Sequence, residues 1–186
     1  LYLSVGDRGN RHLAQQLDVH PGKILRFHPD GRVPADNPFV GQSDAKPEIW
    51  TYGNRNSQGL SINPATGDLW EAEHGPRGGD EINRLEKGRN YGWPEITYGE
   101  EYSGGKIGGT EKAGMEQPVH YYVPSIGTAG LLYYHGERFP QWQDSIFVTG
   151  LRSTSISRVT IKNGKAVGDE RLFSDLSMRM RNIELG

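Results

Sequence analysis

Apolar positions in this chain come in short runs, and turn residues separate them. The clearest period-two alternation lies at residues 157–162, where Val159 and Ile161 share one face and Arg158, Thr160 and Lys162 the other. Asn163-Gly164 then predicts a tight hairpin into Lys165-Ala166-Val167. Further strands are expected at residues 2–5, at 23–27 before the turn Pro29-Asp30-Gly31, at 59–62 and 69–72 around Asn63-Pro64, and at 145–150. No segment sustains an i, i+3, i+4 apolar stripe; residues 12–18 allow a helical turn or two inside a loop. Short antiparallel strands throughout predict an all-β fold: a sandwich, a barrel or a propeller. A loose phrase of strand, Pro/Gly turn and strand occurs at 27–33 and again at 62–70, and such a degenerate repeat favours a propeller. The long loops at 8–22, 32–48 and 98–116 are where function is expected on a rigid β scaffold.

Composition supports this picture. Gly 26 and Pro 11 in 186 residues suit many strands joined by turns, and 34% hydrophobic with 10% aromatic residues suffices for a core. A net charge of −2 argues against nucleic acid or an anionic membrane as the main partner. No stretch approaches the ~18 apolar residues of a membrane span. The absence of cysteine excludes disulfides, thiolate metal sites and a cysteine nucleophile, and says little of compartment. The chain opens on Leu1-Tyr2-Leu3-Ser4-Val5 with no leader and closes on Asn182-Ile183-Glu184-Leu185-Gly186, which also reads as a strand. The expectation is a single partial domain, 1–186, of a longer protein.

Four motifs can carry chemistry. Gly53-Asn54-Arg55-Asn56-Ser57-Gln58-Gly59 offers a guanidinium fork and a carboxamide, in a binding loop or in a merely solvated one. Glu73-His74-Gly75-Pro76-Arg77-Gly78-Gly79-Asp80-Glu81 bends the backbone so that carbonyls can face one point near acidic side chains. That suits a hard cation such as Ca²⁺, or a glycine-rich loop in which Asp80 and Glu81 make turn hydrogen bonds. Asn90-Tyr91-Gly92-Trp93-Pro94 reads as a packed corner. In Met178-Arg179-Met180-Arg181, a strand would point both guanidinium groups to one side, toward an anion or toward solvent.

Taken in order, these motifs resemble the soluble pyrroloquinoline quinone (PQQ)-dependent sugar dehydrogenases of the glucose/sorbosone dehydrogenase family. The matching runs include Leu3-Ser4-Val5-Gly6-Asp7, Gly22-Lys23-Ile24-Leu25-Arg26, Arg55-Asn56-x-Gln58-Gly59-Leu60, His74-Gly75-Pro76-x-Gly78-Gly79-Asp80, Tyr91-Gly92-Trp93-Pro94 and Arg179-x-Arg181. They span the chain, and the His-Gly-Pro-Arg-Gly-Gly-Asp loop is nearest the aldose sugar dehydrogenase branch. The resemblance implies a six-bladed β-propeller, here its middle and later blades, with PQQ and Ca²⁺ on one face. It implies an aldose substrate oxidised at C1 to a lactone, an external electron acceptor, and a periplasmic or secreted location.

Site roles follow from the same resemblance. Carbonyls of Gly75 and Pro76 would hold the active-site Ca²⁺ together with PQQ. Arg55 and Asn56 would contact the quinone, and Arg179 and Arg181 would face its carboxylates. His74, Ser125 and Arg152 would contact the cofactor; Arg152 stands where the family usually has Lys, which keeps the charge but not the geometry. A second, structural Ca²⁺ would use Thr97, Glu101 and Glu116. The family's catalytic base is a His upstream of the Gly-Asp pair. That His is absent from this chain, and Asp7 matches its orienting carboxylate, so the isolated chain is expected to be inactive. Two rival readings are a non-catalytic propeller and a Ca²⁺-dependent lactone hydrolase. A hydrolase needs no cluster of arginines for a tricarboxylate.

Overall fold

A computed structural model describes residues 1–186 as three antiparallel sheets with three short 3-10 turns and no α-helix. The first sheet is β1 (Tyr2–Val5), β2 (Lys23–Arg26) and β3 (Ile49–Tyr52), in that order. The second is β4 (Ser57–Ile62), β5 (Leu69–Glu73), β6 (Asp80–Leu85) and β7 (His120–Tyr122). The third is β8 (Thr128–Tyr134), β9 (Ser145–Gly150), β10 (Ile156–Lys162) and β11 (Lys165–Leu172). Each sheet is a meander in which every strand pairs with its neighbour in sequence.

Local chemistry explains the strand ends. Between β10 and β11, Asn163 and Gly164 both take positive φ (51° and 73°), the mirror-image turn whose twist matches its flanking strands. β10 alternates buried and half-exposed positions along its length, while β9 is buried at every position because it lies inside the sheet and under its neighbour. The expected helical turn is a 3-10 turn at Arg11–Gln15.

The sheets pack face to face. Trp70, Ala72, Ile82 and Tyr122 of the second sheet meet Leu131, Tyr133, Ile146, Val148, Val159 and Ile161 of the third in the largest apolar cluster. β4 and β8 approach so closely that a Cβ on Gly59 would lie 2.5 Å from the Leu131 amide nitrogen. Ile24 and Tyr91 meet Leu69 and Leu85 between the first and second sheets.

Two expectations of strands are corrected. Residues 177–186 form no strand. Two backbone bonds hold this part of the segment, Gly130 N to Arg181 O (3.1 Å) and Met180 N to Gly150 O (3.4 Å), too few for a ladder beside β8. Loop 32–48 contains none of the candidate site residues, and its Phe39 packs on Leu25 and Ile49. The turn at 28–32 is not followed by a strand, since the chain continues as loop to Ile49.

The meanders have a consequence for function. Tracing each strand's direction places the segments 6–22, 53–56, 74–79, 123–127 and 151–155 at one common end of the three sheets. Asp7, Arg55, Asn56, His74, Gly75, Pro76, Ser125 and Arg152 all lie in those segments.

Candidate active site

Arg55 is the centre of the cluster. Its Nη1 donates to His74 O (2.7 Å) and Gly75 O (2.8 Å), and its Nη2 donates to Tyr102 OH (3.3 Å). Its guanidinium lies 5.3 Å from the Trp93 ring centre. Trp93 is buried, and its Nε1 donates to Asp7 Oδ2 (2.9 Å) while Gly9 N donates to Asp7 Oδ1 (2.9 Å). The Asp7 amide in turn donates to Arg55 O (2.8 Å), and the His74 amide to Asn56 O (3.0 Å). Asp7, Arg55, Asn56, His74 and Gly75, far apart in sequence, are therefore neighbours. The Asn56 side chain is steadied by Gln58 Nε2, which donates to its Oδ1 (2.9 Å).

The 74–79 loop depends on Asp80. That buried carboxylate accepts from the amides of Gly75 (3.0 Å), Gly127 (2.7 Å) and Thr128 (3.1 Å), and from Ser125 Oγ (2.8 Å to each oxygen). It ties the β5–β6 loop to the β7–β8 loop. Its oxygens are thus occupied, which is the hydrogen-bonding role open to it in the sequence, and Ser125 spends its hydroxyl on the same carboxylate. Gly75 is required sterically, because a Cβ there would lie 2.2 Å from Gly79 O. The carbonyl of buried Pro76 accepts no hydrogen bond, and Gly75 O keeps a second lone pair beyond the one Arg55 uses. These neutral oxygens can accept a hard cation. No group of three or more His, Cys, Asp or Glu side chains is placed to hold a metal by itself.

Two adjoining cavities open here. One, about 510 Å³, is lined by His74, Pro76, Tyr98, Tyr102, Ser125 and Arg152; the other, about 370 Å³, by His74, Gly127, Arg152 and Arg179. Arg152 is held at the wall of both, with Nη1 donating to Ser125 O (3.1 Å). Arg181 contributes its backbone carbonyl to Gly130 and lines neither cavity. Thr97, Glu101 and Glu116 are not brought together. Thr97 Oγ1 accepts from Gly99 N (3.1 Å), Glu101 forms a fork with Arg11, and Glu116 lies 3.5 Å from Arg89.

Sequence reasoning missed three contributors. Trp93 packs as expected of a corner residue, yet it also stands between Asp7 and the guanidinium groups of Arg55 and Arg11, the latter 5.4 Å from its ring centre. Tyr102 and Arg11 come from loops whose composition gave no signal beyond their length. Beneath the site lies a buried acidic network that strand assignment alone could have revealed. Glu71 and Glu73 on β5 face Glu81 and Asn83 on β6. Ser57 Oγ and Asn54 Nδ2 donate to Glu71, and Asn83 Nδ2 donates to both Glu71 and Glu81, while Glu73 Oε2 has no partner. Burial pushes Glu71 up to about 7 and Glu81 up to about 8, and drives Glu73 well above the carboxylate range, where the charges of Glu71 and Glu81 add to the effect.

Known proteins share this arrangement. The aldose sugar dehydrogenase YliI of Escherichia coli K12 is 43% identical over 189 residues, covering all of this chain and 51% of its own length. A crystal structure of a glucose dehydrogenase superposes with TM-score 0.93 at 45% identity, over 97% of this chain and 53% of that one. The PQQ-bound aldose sugar dehydrogenase of Streptomyces coelicolor superposes with TM-score 0.77 at 29% identity, over 97% of this chain and 48% of that one. The chain thus spans about half the length of these relatives. The model of the glucose/sorbosone dehydrogenase family matches residues 1–186 without a break, and the chain belongs to that family.

Proposed function

We propose that this chain is the cofactor-cradling half of a PQQ- and Ca²⁺-dependent aldose dehydrogenase, with its three sheets as blades of a six-bladed β-propeller. The observation that carries this reading is the convergence of Arg55 on the carbonyls of the 74–76 loop, beside cavities lined by Arg152 and Arg179. The residues fit the cofactor pair in charge. Neutral carbonyls leave a dication unbalanced, so an anionic ligand must complete its site, and PQQ is a tricarboxylate. Cationic Arg152 and Arg179 suit its carboxylates.

In this reading Gly75 and Pro76 carbonyls would hold Ca²⁺, while Arg55, Asn56, His74, Ser125, Arg152 and Arg179 would surround PQQ, with Arg181 on the same segment as Arg179. When bound, the pair supplies a polarised quinone able to accept hydride from sugar C1. The chain's own residues orient and exclude. Arg55 is fixed between the loop carbonyls and the Trp93 face, so its guanidinium is presented without further reorganisation. Asp7, pinned by Trp93 Nε1 and Gly9 N, keeps lone pairs with which to orient a base from the remainder of the protein. On this reading aldoses would leave as lactones and an external electron acceptor would be required, which the family's periplasmic or secreted setting suits. No helix here is long and apolar enough to cross a membrane.

The test adds PQQ and Ca²⁺ to full-length apoprotein and follows dye reduction with a panel of aldoses. Sugar-dependent reduction that needs both additions is expected. PQQ binding without turnover on any sugar would leave a non-catalytic propeller; no PQQ binding would sink the assignment altogether.

A further inference from the structure

A third cavity, about 520 Å³, runs between the second and third sheets beside the candidate site, and the two share Val123, Pro124, Ser125 and Arg152. Its wall is built by β7, β11 and the loops that follow β7 and β9. Asp169 on β11 receives Ser157 Oγ (2.5 Å), which itself pairs with Tyr122 OH (2.8 Å), and lies 3.4 Å from His120 Nε2. Burial alone would raise Asp169, but the nearby His120, the hydrogen bond from Ser157 and the charge of Arg171 hold it below the ordinary carboxylate range. Arg171 is held by shape rather than by hydrogen bonds. Its guanidinium stands 5.1 Å from the Tyr122 ring centre and approaches Asp169 only at 3.5 Å, which leaves its fork of donors unspent. Arg152 faces the same space with a single bond, to Ser125 O. The hydroxyls of Ser153 and Ser174 complete the lining.

Arg171, with its donors free, and Arg152, which the groove shares with the neighbouring site, face one committed carboxylate, so the groove is net positive in the cofactor-free chain and keeps Arg171 as its own cation when PQQ is bound. Like charges this placed gain from an anion between them. We propose that this groove is a second binding site, for a small organic anion bearing a carboxylate or phosphate, with Arg171 as its principal contact. Two sources have this chemistry. The anion can be the charged substituent of a sugar, such as a sugar phosphate or uronic acid whose C1 reaches the neighbouring site, or it can be an acidic electron acceptor. Naming these sources rests on the dehydrogenase reading; the anion site does not.

The test is calorimetric titration of the full-length protein, with and without PQQ and Ca²⁺, using glucose 6-phosphate, glucuronate and glucose as probes. The anionic sugars should bind at least about tenfold more tightly than glucose. Arg171→Gln should remove that margin and leave glucose unaffected, and Arg171→Lys should restore part of it. Ser174→Asp, on an exposed 3-10 turn, should weaken anion binding to a similar extent without disturbing any buried contact. This variant keeps the test alive if Arg171→Gln fails to fold. Equal affinity for glucose and glucose 6-phosphate, or folded variants that bind as the wild type does, overturns the proposal. Because binding is read as heat, it is measured even if no sugar is oxidised, so the two readings can fail separately. Kinetics then separate the sources. A fall in kcat/KM confined to anionic sugars assigns the groove to substrate, and a fall confined to an anionic dye against a cationic one assigns it to the acceptor. If neither ratio moves by more than about twofold, the proposal fails.

Discussion

Among single residues, Asp80 matters most to the site's geometry while touching no proposed ligand. It accepts from the buried amides of Gly75, Gly127 and Thr128, of which Gly127 has a second acceptor in Ser125 Oγ (3.1 Å). Asp80→Ala strands the amides of Gly75 and Thr128 and leaves Gly127 with Ser125 Oγ alone, and at about 1 kcal/mol or more for each stranded amide the loss should reach about 2 kcal/mol in urea unfolding. A loss under about 1 kcal/mol would mean that the two loops are held by something else. The motif around Asp80 was plain in the sequence, but its role was not, because a carboxylate in a glycine-rich loop serves metal and amide equally well. Only the folding of 123–128 onto it decides. Arg55 and Asp7 were legible as chemistry, and Trp93 only as packing, since its second role needs partners 38 and 86 positions away.

The buried carboxylates give a pH prediction of definite sign. Glu71 and Glu81 are raised in the fold from a value of 4.5, to about 7 and about 8. The folded state therefore holds protons that the unfolded chain has released. Their stabilisation is complete below pH ~4.5 and is lost as pH rises through ~7 to ~8, by about 1.4 kcal/mol per pH unit for each group while it remains protonated in the fold. Lys23 acts oppositely but higher. It is desolvated while donating to the carbonyls of Leu13, Ala14 and Pro21, its value falls to about 8, and its contribution grows from there upward. Chemical unfolding compared at pH 5 and pH 8 isolates the glutamates. Stability should fall over that window, and Glu81→Gln should flatten part of the fall; an unchanged slope in the variant would contradict this account.

Between elements, the decisive contact is β4 against β8. Gly59 lets the backbones touch, and Tyr133 N donates to Ser61 Oγ (3.0 Å) just beyond. Gly59→Val drives side-chain atoms into Leu131 and the Ala129 carbonyl, and should cost at least about 2 kcal/mol, a Tm lower by about 4–8 °C. Gly168→Ala in β11, with nothing within 4 Å of the new carbon, should stay within about 0.5 kcal/mol. The same contrast explains which strands could be read. β10 and its hairpin show clean alternation because one face is wet. β8 reads Thr-Ala-Gly-Leu-Leu-Tyr-Tyr and is buried on both faces, and β6 carries Asp80, Glu81 and Asn83 inside. Neither pattern alternates, so both strands escaped notice. The end of the chain misled in the opposite way: its residues suit a strand, but the fold gives them only the bonds of Arg181 O to Gly130 and Met180 N to Gly150, not a ladder.

At the scale of the molecule, the site is a property of how sheets are set side by side. Asp7 comes from the first sheet's loops, the 74–76 carbonyls from the second, and Arg152 from the third. Arg179 and Arg181, which the PQQ reading places against the cofactor's carboxylates, hang on a segment anchored by two backbone bonds and largely exposed. The relatives are about twice as long as this chain, and the proposed reading puts the far wall of the cavity in the part that residues 1–186 do not include. The cradle is therefore organised on one side and open on the other. The expected outcome is that full-length protein binds PQQ at least about tenfold more tightly than the isolated 186-residue chain, and that only the former reduces dye with sugar. Absorbance titration with PQQ and Ca²⁺ measures both affinities directly. Should the isolated chain bind as tightly as the whole, then Arg55, the 74–76 loop, Arg152 and Arg179 are sufficient for the cofactor, and the remaining blades serve the substrate and its proton alone.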